Sequence, residues 1–206
     1  YAHAVFVPKR GLAVNVAVLS RVPVARVRTW RVDALGGEPV RDILEVEVAG
    51  PGRPLHLLTN HWKSRAVQSP APGVEGARET EASRRESARA VVRRLREILA
   101  ADPLADVVVA GDFNEEPGDG PASARGWRTA LVPLGEEVPA AAREWTIALS
   151  ADAARLGVVD GVLALYDPWS EVDPSLRGSS VFRGRWQAPD RILLSPGLFD
   201  PAGHSY

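Results

Sequence analysis

The chain contains no cysteine, so disulfides and thiolate metal sites are excluded. Any metal would have to be held by oxygen or imidazole. Methionine is missing too, and the chain opens on Tyr1, so a natural start is expected upstream. No apolar stretch approaches the roughly 18 residues of a membrane-spanning helix, and no segment resembles a targeting signal. Cytoplasm and secretion are both left open. Charge of one sign is also lacking: 25 Lys and Arg stand against 26 Asp and Glu, for a net charge of −1. No global field therefore draws the protein to a polyanion, and any such contact must come from a local patch. What is present is enough apolar material to bury a core, 45% of 206 residues. Residues 1–206 read as a single domain.

The chain is organised around Gly111-Asp112-Phe113-Asn114. The apolar run Asp106 to Ala110 precedes it and the turn-prone Glu115 to Asp119 follows. A β-branched run bounded by Gly and Pro predicts a buried strand that delivers Asp112 and Asn114 to a loop at its carboxyl end. Asp112 can hold or deprotonate a water, and the Asn114 amide can donate to a phosphoryl oxygen without titrating. An ordinary turn accounts for the same four residues, since Gly, Asp and Asn all favour turns.

Upstream, Gly11 to Ser20 alternates as a strand, and Pro23 turns the chain away. Val40 to Ala49 alternates Ile43, Glu45 and Glu47 with Leu44, Val46 and Val48, which predicts a half-exposed antiparallel strand with one charged face. Pro51-Gly52 turns it into a partner strand, Pro54 to Asn60, which runs into Asn60-His61-Trp62-Lys63-Ser64-Arg65. His61 is the side chain there that titrates near neutrality, and a capped, half-buried histidine is the alternative to a catalytic one. Gln68 to Gly76 reads as a loop. From about Glu79 to Ala101 the apolar spacing predicts an amphipathic helix, its arginines a solvated face partnered by Glu81, Glu86 and Glu97. Strand, helix, strand with a right-handed crossover results. Gly120 to Glu171 shows little period beyond a short helix at Ala151 to Leu156. Ser179 to Arg183 reads as a strand, Gly184 to Pro189 as a turn, and Arg191 to Leu194 as a last strand opened by Asp190.

Three separated pieces, Thr59 to Arg65 (TNHWKSR), Gly111 to Asn114 (GDFN) and Arg183 to Leu198 (RGRWQAPDRILLSPGL), together resemble the endonuclease/exonuclease/phosphatase superfamily, most of all its bacterial stand-alone members. The resemblance implies an α/β fold: a two-sheet mixed β-sandwich flanked by helices in four layers, α/β/β/α. It also implies a metal-dependent phosphoester hydrolase, a phosphodiesterase or nuclease that directs water at phosphorus, with Mg²⁺ or else Mn²⁺ or Ca²⁺ as cofactor. His61 matches the family histidine at the scissile phosphate, and Asp190 the aspartate that orients it and keeps it protonated. Asp112 and Asn114 match the pair that positions the water and binds the phosphoryl group, and both are candidate metal ligands. Lys63, Arg65, Arg183, Arg185 and Arg191 are candidate substrate-binding cations, with nucleic acid the favoured substrate.

The family's upstream Asn and metal-binding Glu, and its final Asp-His pair, have no counterpart here. The chain is thus expected to be partial at both ends, to have little activity alone, and to leave apolar edges uncovered. Two alternatives use the same residues: a catalytically dead relative that binds a phosphorylated ligand or a protein, and a phosphatase or lipid phosphodiesterase. A serine hydrolase built on Ser64 lacks a nucleophile elbow.

Overall fold

Strands follow the apolar alternation, and most of them join one sheet. A computed structural model describes residues 1–9, 11–32, 40–50, 52–64, 74–115, 129–182 and 184–206. His3–Phe6 (β1) and Ala17–Ser20 (β2) form an antiparallel pair. Val24–Trp30 (β3), Ile43–Val48 (β4) and Leu55–His61 (β5) follow as an antiparallel meander. Helix α1, Val74–Ala101, then returns the chain to Asp106–Asp112 (β6), which lies parallel to β5. That is the expected strand-helix-strand unit.

Four short strands come next: Leu131–Pro133 (β7), Ile147–Ser150 (β8), Gly157–Val159 (β9) and Val162–Tyr166 (β10). Ser180–Phe182 (β11) and Arg185–Gln187 (β12) make a hairpin, and Asp190–Leu194 (β13) ends the strands. Among the described residues the main sheet has nine strands in the order β3-β4-β5-β6-β13-β10-β8-β7, with β9 on β10. It divides into two halves, because β13 and β10 are joined through one registered pair, Leu194 with Tyr166.

One apolar core draws on both halves and on α1: Leu58, Val107 and Val109 meet Val91, Leu95, Ile147 and Leu163. Each fully buried Leu or Val contributes about 1.5–3 kcal/mol relative to exposure. On the opposite face of β4 and β5, Leu44, Val46 and Val48 pack with Val18 and Val5 of the first hairpin. The result is the mixed α/β, sandwich-type architecture that the motifs implied.

Several expectations need correction. Only Ala17–Ser20 of the Gly11 to Ser20 run is strand. At Pro23 the chain does turn away from the β1–β2 pair, but it goes on as β3, the edge strand of the main sheet, where no strand was expected. The loop expected at Gln68 to Gly76 ends earlier, since α1 starts at Val74; residues 68–73 lie outside the described ones. The helix expected at Ala151 to Leu156 is a 3-10 turn at Ala153–Arg155, and the turn at Gly184 to Pro189 contains β12.

The charged face of β4 is buried rather than half-exposed, with Glu45 1% exposed. Arg94 of α1 reaches down with Nε and Nη2 each 2.8 Å from Glu45. His56 Nδ1 lies 3.1 Å from the same carboxylate, and the Trp30 indole donates to it. Burial alone would raise the Glu45 pKa, but the hydrogen bonds from His56, Arg94 and Trp30 and the charge of Arg94 outweigh it and hold the group at about 2.

Candidate active site

Sheet register builds the site. His61 ends β5 opposite Asp112 at the end of β6, and Asp112 is in turn paired with Asp190 at the start of β13. Paired residues on adjacent strands point to the same face, so these three side chains form one row across three strands. The row lies on the face away from α1, since Leu58, Val107 and Val109 of the alternate parity belong to the helix-side core.

Gly111 makes the close approach possible. It has φ +138°, and a Cβ there would sit 2.0 Å from the Asn60 carbonyl oxygen, so no larger residue fits between β5 and β6. Past Asp112, Asn114 takes a left-handed φ of 50°, which asparagine tolerates. Its backbone N–H donates to Asp112 Oδ1 at 2.8 Å, and its side-chain amide to the Trp62 carbonyl at 3.1 Å. Trp62 N–H returns a 2.8 Å bond to the Asp112 carbonyl. Beneath these loops the buried rings of Trp62 and Phe113 meet edge to face, 4.8 Å apart.

Helix α1 fastens both loops from behind. Arg84, 3% exposed, places Nε 2.7 Å from Glu115 and donates through Nη1 to the Lys63 carbonyl. The sequence had suggested a solvated arginine face. Arg85 and Arg89 do pair with Glu81 and Glu86 along the helix, whereas Arg84 and Arg94 turn inward.

His61 Nε2 lies 3.6 Å from Asp112 Oδ2. Asp190 was expected to be the partner of this ring, but its Oδ2 accepts a 2.6 Å bond from Ser179 Oγ, and its carbonyl accepts one from Trp169 Nε1 at 2.9 Å. Asp190 acts on His61 through its charge, and the carboxylate within 4 Å of the ring is that of Asp112. Nor is the ring held protonated. Burial, together with the charge of Arg41, lowers the His61 pKa and outweighs the opposing pull of Asp112 and Asp190. That direction favours the neutral imidazole, a form that can accept a proton.

The expected substrate cations do not gather as a group. Lys63 is half-buried just beyond the row. Arg191 is one residue from Asp190 and so takes the other face; it is 5% exposed and its guanidinium pairs with Asp167. That placement removes it from a groove rim. Arg65 and Arg183 lie outside the described residues, as does the side chain of Arg185. Arg41, which no spacing rule marked, is close enough to interact with both Asp112 and His61.

A family model described as "Endonuclease/Exonuclease/phosphatase family" matches residues 2–126. The chain belongs to the endonuclease/exonuclease/phosphatase family. Members of this family are phosphoester hydrolases that generally use divalent metals. Among solved structures, truncated TDP2 from Caenorhabditis elegans is similar with a TM-score of 0.50 and 18% identity, over 87% of this chain and 55% of that one. Sphingomyelinase C from Streptomyces griseocarneus is similar with a TM-score of 0.40 and 18% identity, over 91% of this chain and 54% of that one. The chain thus spans about half the length of each. No curated protein matches it.

Among the described residues, two sets of side chains offer metal donors. Asp112 and Asn114 supply hard oxygen donors at the row, which suits a hard divalent cation. Glu45, Glu47 and His56 also bring ligand atoms within 4.8 Å of one another. There, however, Arg28 and Arg94 already occupy the carboxylates, with Arg94 at 2.8 Å, and their charge opposes a further cation. Asp112 and Asn114 thus remain the candidate ligands, while the second set is already neutralised by arginine.

Proposed function

We propose that the protein is a phosphodiesterase that hydrolyses nucleic acid by directing water at phosphorus. The observation that carries this reading is the registered row of His61, Asp112 and Asp190, with Asn114 folded back beside it.

Attack on a phosphodiester accumulates negative charge on the phosphoryl oxygens and on the leaving alkoxide. Asp112 orients the attacking water. Asn114, whose amide plane is set by its bond to the Trp62 carbonyl, is the proposed donor to a phosphoryl oxygen. Neutral His61, 3.6 Å from Asp112, takes up the proton that the water releases. Asp190, anchored by Ser179, stabilises the imidazolium so formed by its charge. Asp112 and Asn114 would hold a divalent cation, magnesium for preference, which when bound neutralises phosphoryl charge.

Lys63 is proposed to track a polynucleotide backbone, with Arg65, Arg183 and Arg185 extending that track. The test is an assay of the intact protein against plasmid DNA, RNA, sphingomyelin and an inositol phosphate, with and without magnesium. Nucleic acid should be cleaved only with magnesium and not by Asp112→Asn. Hydrolysis of sphingomyelin or the inositol phosphate in preference would reassign the substrate, and hydrolysis unaffected by chelation would sink the mechanism.

A further inference from the structure

We propose that Arg41 is a substrate-binding residue that closes the row on its β4 side and holds oxygens of the phosphoryl group. The inference rests on the phosphoesterase reading and names a contact it did not include.

Position comes from register. β4 and β5 pair antiparallel with Leu44 opposite Thr59, so continuing the same register brings Asp42 opposite His61 and Arg41 opposite Trp62. Arg41 therefore stands at the same sheet end as the row. Strand parity there gives the row's face to Asp42, but the Arg41 side chain turns to that face, because it bonds to Val14 in the connection into β2, and Val16 and Val18 pack with Leu44 and Val46 on that side. Its arm is fixed, because Nε donates to the Val14 carbonyl at 3.0 Å. Its charge is felt by Asp112 and His61 alike.

What sets Arg41 apart is how little of its hydrogen-bonding capacity the protein uses. Among the described residues that bond to Val14 is the one it makes, and it has no ion pair, although the side chain is partly buried. The neighbouring cation Lys9 is paired with Asp42 at 2.5 Å, and Arg94 with Glu45 at 2.8 Å. Removing a guanidinium from water without a paired carboxylate is unfavourable, and the loss is recovered when an anion binds. With Nε engaged, the terminal nitrogens remain as a planar pair of donors, which matches two oxygens of a phosphate. The carbonyl of Val14 cannot itself account for a charged residue, since a neutral donor would serve it.

The test compares wild type, Arg41→Gln and Arg41→Lys, with magnesium present, by calorimetric binding of inorganic phosphate and by hydrolysis of bis(4-nitrophenyl) phosphate. Arg41→Gln should weaken phosphate binding by about tenfold or more and lower kcat/KM by roughly a hundredfold, with Arg41→Lys between the two in both. If wild type binds phosphate and hydrolyses nothing, the phosphoesterase reading fails while the affinity ratio still decides the role of Arg41. Phosphate affinity in Arg41→Gln within about threefold of wild type, or no phosphate binding by wild type, overturns the proposal. Should Arg41→Gln fail to fold, Arg41→Lys decides alone: weaker phosphate binding with an unchanged melt sustains the forked contact, and unchanged affinity overturns it.

Discussion

Two groups of acidic residues and histidine sit on β4, β5 and β6, and they have opposite fates. Glu45, Glu47 and His56 lie beneath α1, where Arg94, Arg28 and Trp30 meet the carboxylates and hold Glu45 at about 2. His61 and Asp112 lie at the strand ends on the other face, joined across 3.6 Å, with a cation nearby that is not paired to either. Residue type does not separate the two groups; the cover does. Where a helix supplies partners, the charges are spent on holding the structure, and where none is supplied, they remain available for a ligand.

Substitutions at the row should therefore abolish turnover without unfolding the protein. We expect His61→Ala and Asp112→Asn each to lower kcat/KM by roughly 10²–10⁴-fold, with thermal melts close to wild type. A large drop in melting temperature for Asp112→Asn would show that the row, too, is structural.

The buried group should respond in the opposite way. Arg94→Met removes the two-pronged partner of the Glu45 carboxylate but leaves His56, Trp30 and Arg28, so it should cost about 3 kcal/mol, the lower end for breaking a buried pair, read by urea denaturation, with kcat of the folded fraction unchanged. The pH dependence has a definite sign. Glu45 has a depressed folded pKa, so its stabilisation is present above the ordinary carboxylate range and is lost as pH falls toward about 2. Wild type should thus lose stability across that acid window, and Glu45→Gln should lack that part of the slope. For His61 the folded pKa is lowered, so stability declines as pH falls below the ordinary histidine value. His61→Ala should remove that shallower decline near neutrality.

A smaller effect should come from Ser179→Ala, which deletes the bond to Asp190. We expect about 1 kcal/mol of stability to be lost and kcat to fall more than KM changes, with partial recovery in Ser179→Thr. A change confined to KM would assign Ser179 to substrate contact instead.

Much of this was legible in the residues themselves. Leu55–His61 and Asp106–Asp112 are strands because their β-branched and apolar runs are bounded by Gly and Pro, and the α1 stripe predicts a helix by its period. Gly111 was read only as a turn former, whereas its lack of a side chain is what lets β6 approach the Asn60 carbonyl. Other features were hidden because local pattern does not say what covers a face. Glu45 and Glu47 alternate as an exposed strand would, yet a helix lies over them. Arg84 and Arg94 look identical to Arg85 and Arg89 until Glu115 and Glu45, distant in sequence, approach them. β7 to β10 were missed because strands as short as Ile147–Ser150, buried on both faces, carry no alternation. The partner of Asp190 was misjudged for a related reason: side-chain geometry at a strand start depends on a loop, here Ser179, that no spacing rule reaches.

The single Leu194–Tyr166 pairing between the two halves of the sheet has a consequence for how this chain can vary. His61, Asp112 and Asp190 all belong to β5, β6 and β13, on one side of that joint. Insertions or deletions in the connections among β7, β8, β9 and β10 leave the cross-strand alignment of the three untouched. The far half of the sheet is thereby a territory for evolutionary experiment, in which loops can lengthen, shorten or be exchanged while the chemistry stays in register.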